Sequence, residues 1–239
     1  MSLSDIKQEM DNNGFIVLKS VFKESELEPI RLLVEQIINS SLEKDPFNEY
    51  YFSHRIDQGV LYDLFQRYAE FQDLAKNVLI LDAIEQLIGP DILLYVNSLV
   101  FKPSGKNNAV PWHQDFMSQP DNPIKYIAWI ALDNVDEVNG SMSVLPGSHK
   151  LGFLPYTKTK GETHHTRAII DDVNFSDSHR VNLCAGDVLI FHQLLLHSSD
   201  QVDSDIPRRA YRIAYQNTDK ISVARGAPIA LRRKNSVIL

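Results

Sequence analysis

The chain has 239 residues, 44% of them apolar and 23% charged, with a formal charge of −7. That is ordinary globular composition, with enough apolar residues for a sizeable core, and the negative balance argues against a nucleic-acid binder, which needs a basic stripe. No apolar run reaches about 18 residues, so no membrane span is expected, and the polar, acidic start "MSLSDIKQEMDNNG" does not read as a signal peptide. A single cysteine, Cys184 in "NLCAGDVLIF", excludes an intramolecular disulfide; it reads as an ordinary buried position. A reducing, cytoplasmic compartment is the corresponding expectation.

In chain order, Ser4 to Met10 reads as a helix broken at Asn12-Asn13-Gly14, and "FIVLKSVF" as a short strand. Residues 24 to 43 carry Leu27, Ile30, Leu33, Val34, Ile37 and Ile38 on one helical face. Pro29 falls early, where a helix tolerates it. Residues 45 to 72 are dense in aromatics and turn formers and read as an irregular loop, packed on the domain or lining a substrate mouth. "LAKNVLILDAIEQLIG" reads as one helix ended by Gly89-Pro90.

From residue 91 the texture is β: "DILLYVNSLVFK", "IKYIAWIALDNV", "GSMSVLP", "HRVNL", "GDVLIFHQLLLH" and "RRAYRIAYQN", with turn signals between them. Helices first and many short strands after predict a mainly β protein with N-terminal helices. We expect a single domain over residues 1–239, with a mostly helical cover over 1–90 and a jelly-roll core, a cupin-like double-stranded β-helix, over 91–220.

The chemistry concentrates at "WHQDF", residues 112–116. In a strand, residues i and i+2 share a face, so His113 and Asp115 can reach one metal ion. With 8 histidines and 31 acidic residues in the chain, about one His-x-acid match is expected by chance, so a third ligand must carry the argument. His149 follows a Pro-Gly-Ser turn, and His164 and His165 lie in a polar stretch. His192 and His197 share one apolar run, and their odd separation puts them on opposite faces of an extended strand. A lone histidine there is more often a satisfied core residue than a ligand. Arginines in "PRRAYRIAY" could reach the same cavity and grip a carboxylate bidentately, although alternation sends Arg208 and Arg209 to opposite faces.

"DNNGFIVLKSVFKESELEPIRLLV", "PWHQDF", "IAWIALDNVDEVNGSMSVLPGSHK", "GDVLIFHQLLLHSS" and "PRRAYRIAY" follow one another in an order and spacing that resembles the phytanoyl-CoA dioxygenase family. These are iron(II)- and 2-oxoglutarate-dependent oxygenases. The resemblance implies iron ligands at His113, Asp115 and His197. It implies Arg208 as the grip on the distal carboxylate of 2-oxoglutarate, with Ser199 sharing it, and Trp129 lining the pocket. Lys102 and Asn97 are weaker assignments to the same pocket. The asparagine many members carry five residues after the distal histidine is Val202 here. An aspartate in the ligand set implies hydroxylation or a related oxidation rather than halogenation.

The implied activity consumes O2 and 2-oxoglutarate and releases succinate and CO2; because the chain is acidic and its basic clusters at 207–212 and 231–234 are short, the expected substrate is a small organic metabolite. An acyl-CoA substrate, a non-catalytic metal-binding jelly roll and a metal-dependent hydrolase or isomerase are the alternatives. Tyr51, His54, Arg55, Phe116 and Met117 are candidate substrate contacts, each with an equal packing reading. Trp112 is expected to pack. No membrane or nucleic-acid partner is expected, and the sequence carries no reading of oligomeric state.

Overall fold

The computed structural model describes residues 3–40, 59–102, 109–117, 119–158, 166–202, 204–224 and 226–233. Its helices are α1 (Leu3–Asn13), α2 (Glu24–Ser40), α3 (Leu64–Arg67), α4 (Ala69–Ala75) and α5 (Val78–Ile88). The chain then turns to β structure, as its β-branched and aromatic runs predict. The major strands are β1 (Phe15–Leu18), β2 (Val60–Tyr62), β3 (Ile92–Phe101), β4 (Val110–His113), β5 (Tyr126–Ala131) and β6 (Met142–Val144). There follow β7 (Tyr156–Lys158), β8 (Thr166–Ala168), β9 (His179–Val181), β10 (Val188–His192), β11 (His197–Ser199), β12 (Arg209–Gln216) and β13 (Ile229–Arg232).

Among the described residues, a seven-stranded antiparallel sheet runs β1-β10-β5-β12-β3-β13, with β2 also paired to β3. A four-stranded sheet runs β4-β11-β6-β9. Strand alternation sorts the side chains of the large sheet into two sets. Ala128, Ile130, Val188, Ile190, Tyr211 and Ile213 pack with Met10, Leu27, Ile30 and Val34 of the helices. Ile127, Trp129, Ala131, Leu189, Phe191, Ala210 and Ala214 face the other way, onto Met142, Val144 and Val181 of the small sheet. Covering on both faces explains why β5 and β10 read as continuous apolar runs rather than alternating ones. The result is the jelly-roll architecture, with helices over one sheet and a second apolar cluster between the two.

Several boundaries differ from the sequence reading. The run 74–89 is not one helix: Asn77 takes a non-helical conformation and caps α5, its side chain accepting from the Leu79 N–H at 2.9 Å. The end of the presumed loop 45–72 is ordered as β2, α3 and α4, and residues 41–58 lie outside the described set. The run 186–197 is not one strand. β10 ends at His192 in the large sheet, a turn follows, and His197 opens β11 in the small sheet. His192 and His197 therefore lie in different sheets, and strand alternation does not relate them. Cys184 is exposed, not buried.

Candidate metal centre and anion pocket

β4 ends at His113, and Asp115 lies in the turn that follows rather than on the strand. The aspartate is placed by hydrogen bonds instead of by the pleat. Its N–H donates to the Gln193 carbonyl at 2.8 Å. Gln114, 1% exposed, pins the turn by donating to the Gly152 and Leu194 carbonyls and accepting from the Leu154 N–H. β11 pairs with β4 so that His197 stands opposite His113. Their ring centroids are 4.1 Å apart. One ligand atom from each of His113, Asp115 and His197 lies within 4.8 Å of the other two, and all three residues are buried.

Both imidazoles have a defined tautomer. His113 Nδ1 lies 2.8 Å from the Pro111 carbonyl and His197 Nδ1 lies 2.9 Å from the Leu195 carbonyl. A carbonyl only accepts, so Nδ1 carries the hydrogen in each ring and Nε2 is the unprotonated nitrogen. This is the outer hydrogen bond that orients a metal-binding histidine. Burial keeps both rings neutral; it lowers His113, and with the neighbouring His113 it takes His197 down to about 3. For Asp115 burial acts upward, but Arg212, His197 and His113 outweigh it and hold the carboxyl at about 2. Arg212 Nη2 stands 2.7 Å from Oδ2, while Oδ1 faces His113 Nε2 at 3.8 Å. Two neutral imidazoles and one ionised carboxylate are the donor set of a facial triad, which leaves the rest of an octahedral shell open. The residues therefore fit a divalent iron ion.

The second feature is a buried cation. Arg208 is 7% exposed. Its guanidinium lies over the Trp129 ring at 4.7 Å, and its Nε donates to the Gly140 carbonyl at 3.1 Å. No acidic side chain among the described residues pairs with it. Burial lowers it to about 10, so it remains charged at neutral pH. Arg209 points the opposite way and is held by Asp133 and Glu35. Lys102 continues the cavity face of β3 beside Arg208, its Nζ 2.9 Å from the Asp200 carbonyl. Burial and the Arg208 charge, opposed by Asp200, bring it down to about 7. Gly140 is needed here: its φ is +97°, and a Cβ would overlap the Lys102 side chain. Ser199 is buried two residues beyond His197.

Other expected site residues lie elsewhere. Asn97 sits on the helix face of β3, not on the cavity face. Its Oδ1 accepts from the Phe65 N–H at 2.9 Å and from the Tyr211 hydroxyl at 3.2 Å, and its Nδ2 donates to Gln66. Asn97→Ala should therefore leave two buried donors unmatched, costing about 2 kcal/mol and lowering the melting temperature by about 6 °C. The KM for 2-oxoglutarate should stay within twofold; a selective rise in KM without loss of stability would return Asn97 to the pocket. Met117 packs with Leu145, Ala168 and Leu196, and Trp112 packs on Phe175 at 4.7 Å. Phe116 has a left-handed φ of +56° and its ring meets Tyr95 at 5.0 Å. His192 faces Tyr126 and His149. Tyr51, His54, Arg55, His164 and His165 lie outside the described residues. The sequence reading missed Arg212 on Asp115 and the Gly140 carbonyl under Arg208; strand alternation from Arg208 to Arg212 was the available signal.

Fold and site together define a jelly-roll protein with a candidate two-histidine, one-carboxylate metal centre beside a buried basic pocket. The phytanoyl-CoA dioxygenase family model matches residues 10–210. The peroxisomal phytanoyl-CoA dioxygenase of Rattus norvegicus is 29% identical over 228 residues, covering 87% of this chain and 67% of that protein. A solved non-heme monooxygenase superposes with a TM-score of 0.78 at 20% identity, over 97% of this chain and 85% of the other. An epimerase solved with Fe3+, alpha ketoglutarate and nogalamycin RO superposes at 0.71 and 19% identity, over 96% and 98%. The chain belongs to the phytanoyl-CoA dioxygenase family of iron(II)- and 2-oxoglutarate-dependent oxygenases.

Proposed function

We propose that the protein oxidises a small organic metabolite, with His113, Asp115 and His197 holding iron(II) and Arg208 holding 2-oxoglutarate. The observation that carries this reading is the buried Arg208 guanidinium, stacked on Trp129 with no acidic partner among the described residues, in the same inter-sheet cluster whose Phe191 packs on His197 of the triad. A buried cation without a counter-charge is costly, and a carboxylate ligand removes that cost. A hydrolase or isomerase site would not need it. Bound iron(II) would supply dioxygen activation coupled to decarboxylation of 2-oxoglutarate, so that O2, 2-oxoglutarate and R–H become R–OH, succinate and CO2.

The protein's own part is orientation and exclusion of water. The two Nε2 atoms and Asp115 converge because backbone carbonyls and Arg212 hold them. Arg208 grips the far carboxylate, with Ser199 beside it and Lys102 adding a second positive charge. The apolar wall of Ile127, Leu189 and Phe191 keeps water out. The acidic, single-cysteine chain fits a reducing cytoplasmic compartment. No helix among the described residues is long and apolar enough to cross a membrane.

Iron- and oxygen-dependent conversion of 2-oxoglutarate to succinate tests the reading. Succinate formation that needs both is the expected result; metal retention without any succinate would favour a non-catalytic module. The affinity for 2-oxoglutarate should also depend on pH. Lys102 is protonated below about 7, beside Arg208 and Asp200. A charged Lys102 favours the dianion, so binding should weaken as pH rises through 7 and above. Lys102→Met should flatten that profile, and a flat wild-type profile would exclude Lys102 from the pocket.

A further inference from the structure

On the other side of Asp115 from the 2-oxoglutarate pocket lies a second set of donors that the proposed function does not use. Arg212 gives Nη2 to Asp115, but its other nitrogens have no hydrogen-bond partner among the described residues, and its side chain is 19% exposed. Its guanidinium lies 5.2 Å from the Phe116 ring. Lys125 approaches the same ring at 5.9 Å and the Tyr95 ring at 4.5 Å. Lys125 is fully buried, donates to the Pro123 carbonyl at 2.7 Å, and meets no carboxylate among the described residues. Burial and Lys220 lower it to about 8, which leaves it an ammonium at neutral pH. Next to it Gln193, also fully buried, accepts from the Lys125 N–H through Oε1 while its Nε2 has no partner.

Charge accounting points the same way. With metal and cosubstrate bound, the divalent ion and the 2-oxoglutarate dianion cancel. Asp115 then offsets only one of the two arginines, Arg208 and Arg212, which leaves one net positive charge to which Lys125 and, when protonated, Lys102 add, and the site is stabilised by an anion that neither metal nor cosubstrate provides. In a chain of net charge −7 this is a local inversion of sign, which attracts an anionic ligand to one place.

We propose that Arg212, backed by Lys125 and the Gln193 amide, is the receptor for a carboxylate carried by the substrate. This rests on the proposed function, and it places the substrate among small organic acids. The left-handed turn at Phe116 sets its ring within 5.2 Å of the Arg212 guanidinium and 5.9 Å of Lys125, where it offers the surface against which the substrate skeleton packs.

The test uses the full chain loaded with nickel(II) and 2-oxoglutarate, titrated calorimetrically with matched probes: hexanoate against hexanamide, and benzoate against benzamide. In at least one pair the acid should bind about tenfold or more tightly than its amide. Arg212→Gln should erase that preference and Arg212→Lys should keep part of it. The visible band of the anaerobic iron(II)–2-oxoglutarate complex confirms that each variant is loaded. No preference for acid over amide in the wild type overturns the proposal, whatever the variants do, and so does a preference that survives in loaded Arg212→Gln. Failure of the wild type to bind nickel and 2-oxoglutarate overturns the proposed function, and this inference with it.

Discussion

Asp115→Ala is expected to abolish tight iron(II) binding and to lower 2-oxoglutarate turnover by about a thousandfold or more. Two effects add. The carboxylate is the single anionic donor of the triad, so the variant offers two neutral imidazoles and cannot complete a facial set. The change also strands Arg212, whose ion pair with Oδ2 at 2.7 Å disappears. Metal content after dialysis and succinate formation measure the outcome together. Asp115→Asn separates the effects, since it keeps the shape but removes the charge. If Asp115→Ala retained iron at wild-type stoichiometry, the metal would have to sit elsewhere.

Arg208→Met should raise the KM for 2-oxoglutarate by about a hundredfold, roughly 3 kcal/mol, the usual scale for losing one partner of a buried, hydrogen-bonded charge pair. The apolar replacement still packs on Trp129 and leaves no polar group stranded, so folding should survive. The kcat at saturating 2-oxoglutarate should fall much less than kcat/KM. Equal affinity in variant and wild type, measured by calorimetry, would show that Arg208 faces no ligand.

Residue types and spacing made much of this protein legible before its structure. The apolar stripe of α2 and the β-rich runs after residue 91 gave the order of helices and sheets, because both periodicities follow from backbone geometry. The triad was visible because His113 and Asp115 are close in sequence and family-like motifs surround His197. Asp115 leaves the strand, and His197 belongs to a different sheet from His192, so strand alternation does not describe how the three candidate ligands meet. A four-residue turn, Gln193 to Leu196, separates β10 from β11, and its "QLLL" composition is that of a strand. Those leucines are buried; tertiary packing overrode local pattern. Asn97 misled for a related reason. A polar residue in an apolar strand suggests a cavity, but here it satisfies the backbone of α3 and the hydroxyl of Tyr211. Arg212 needed the third dimension, because its partner lies almost one hundred residues earlier in the chain.

Anaerobic addition of iron(II) and then 2-oxoglutarate to the full chain shows whether the triad and Arg208 form one site. A weak visible charge-transfer band is expected that requires both additions, is lost in Asp115→Ala, and needs about a hundredfold more 2-oxoglutarate in Arg208→Met. A wild-type protein that binds iron but shows no band at any 2-oxoglutarate concentration would contradict it.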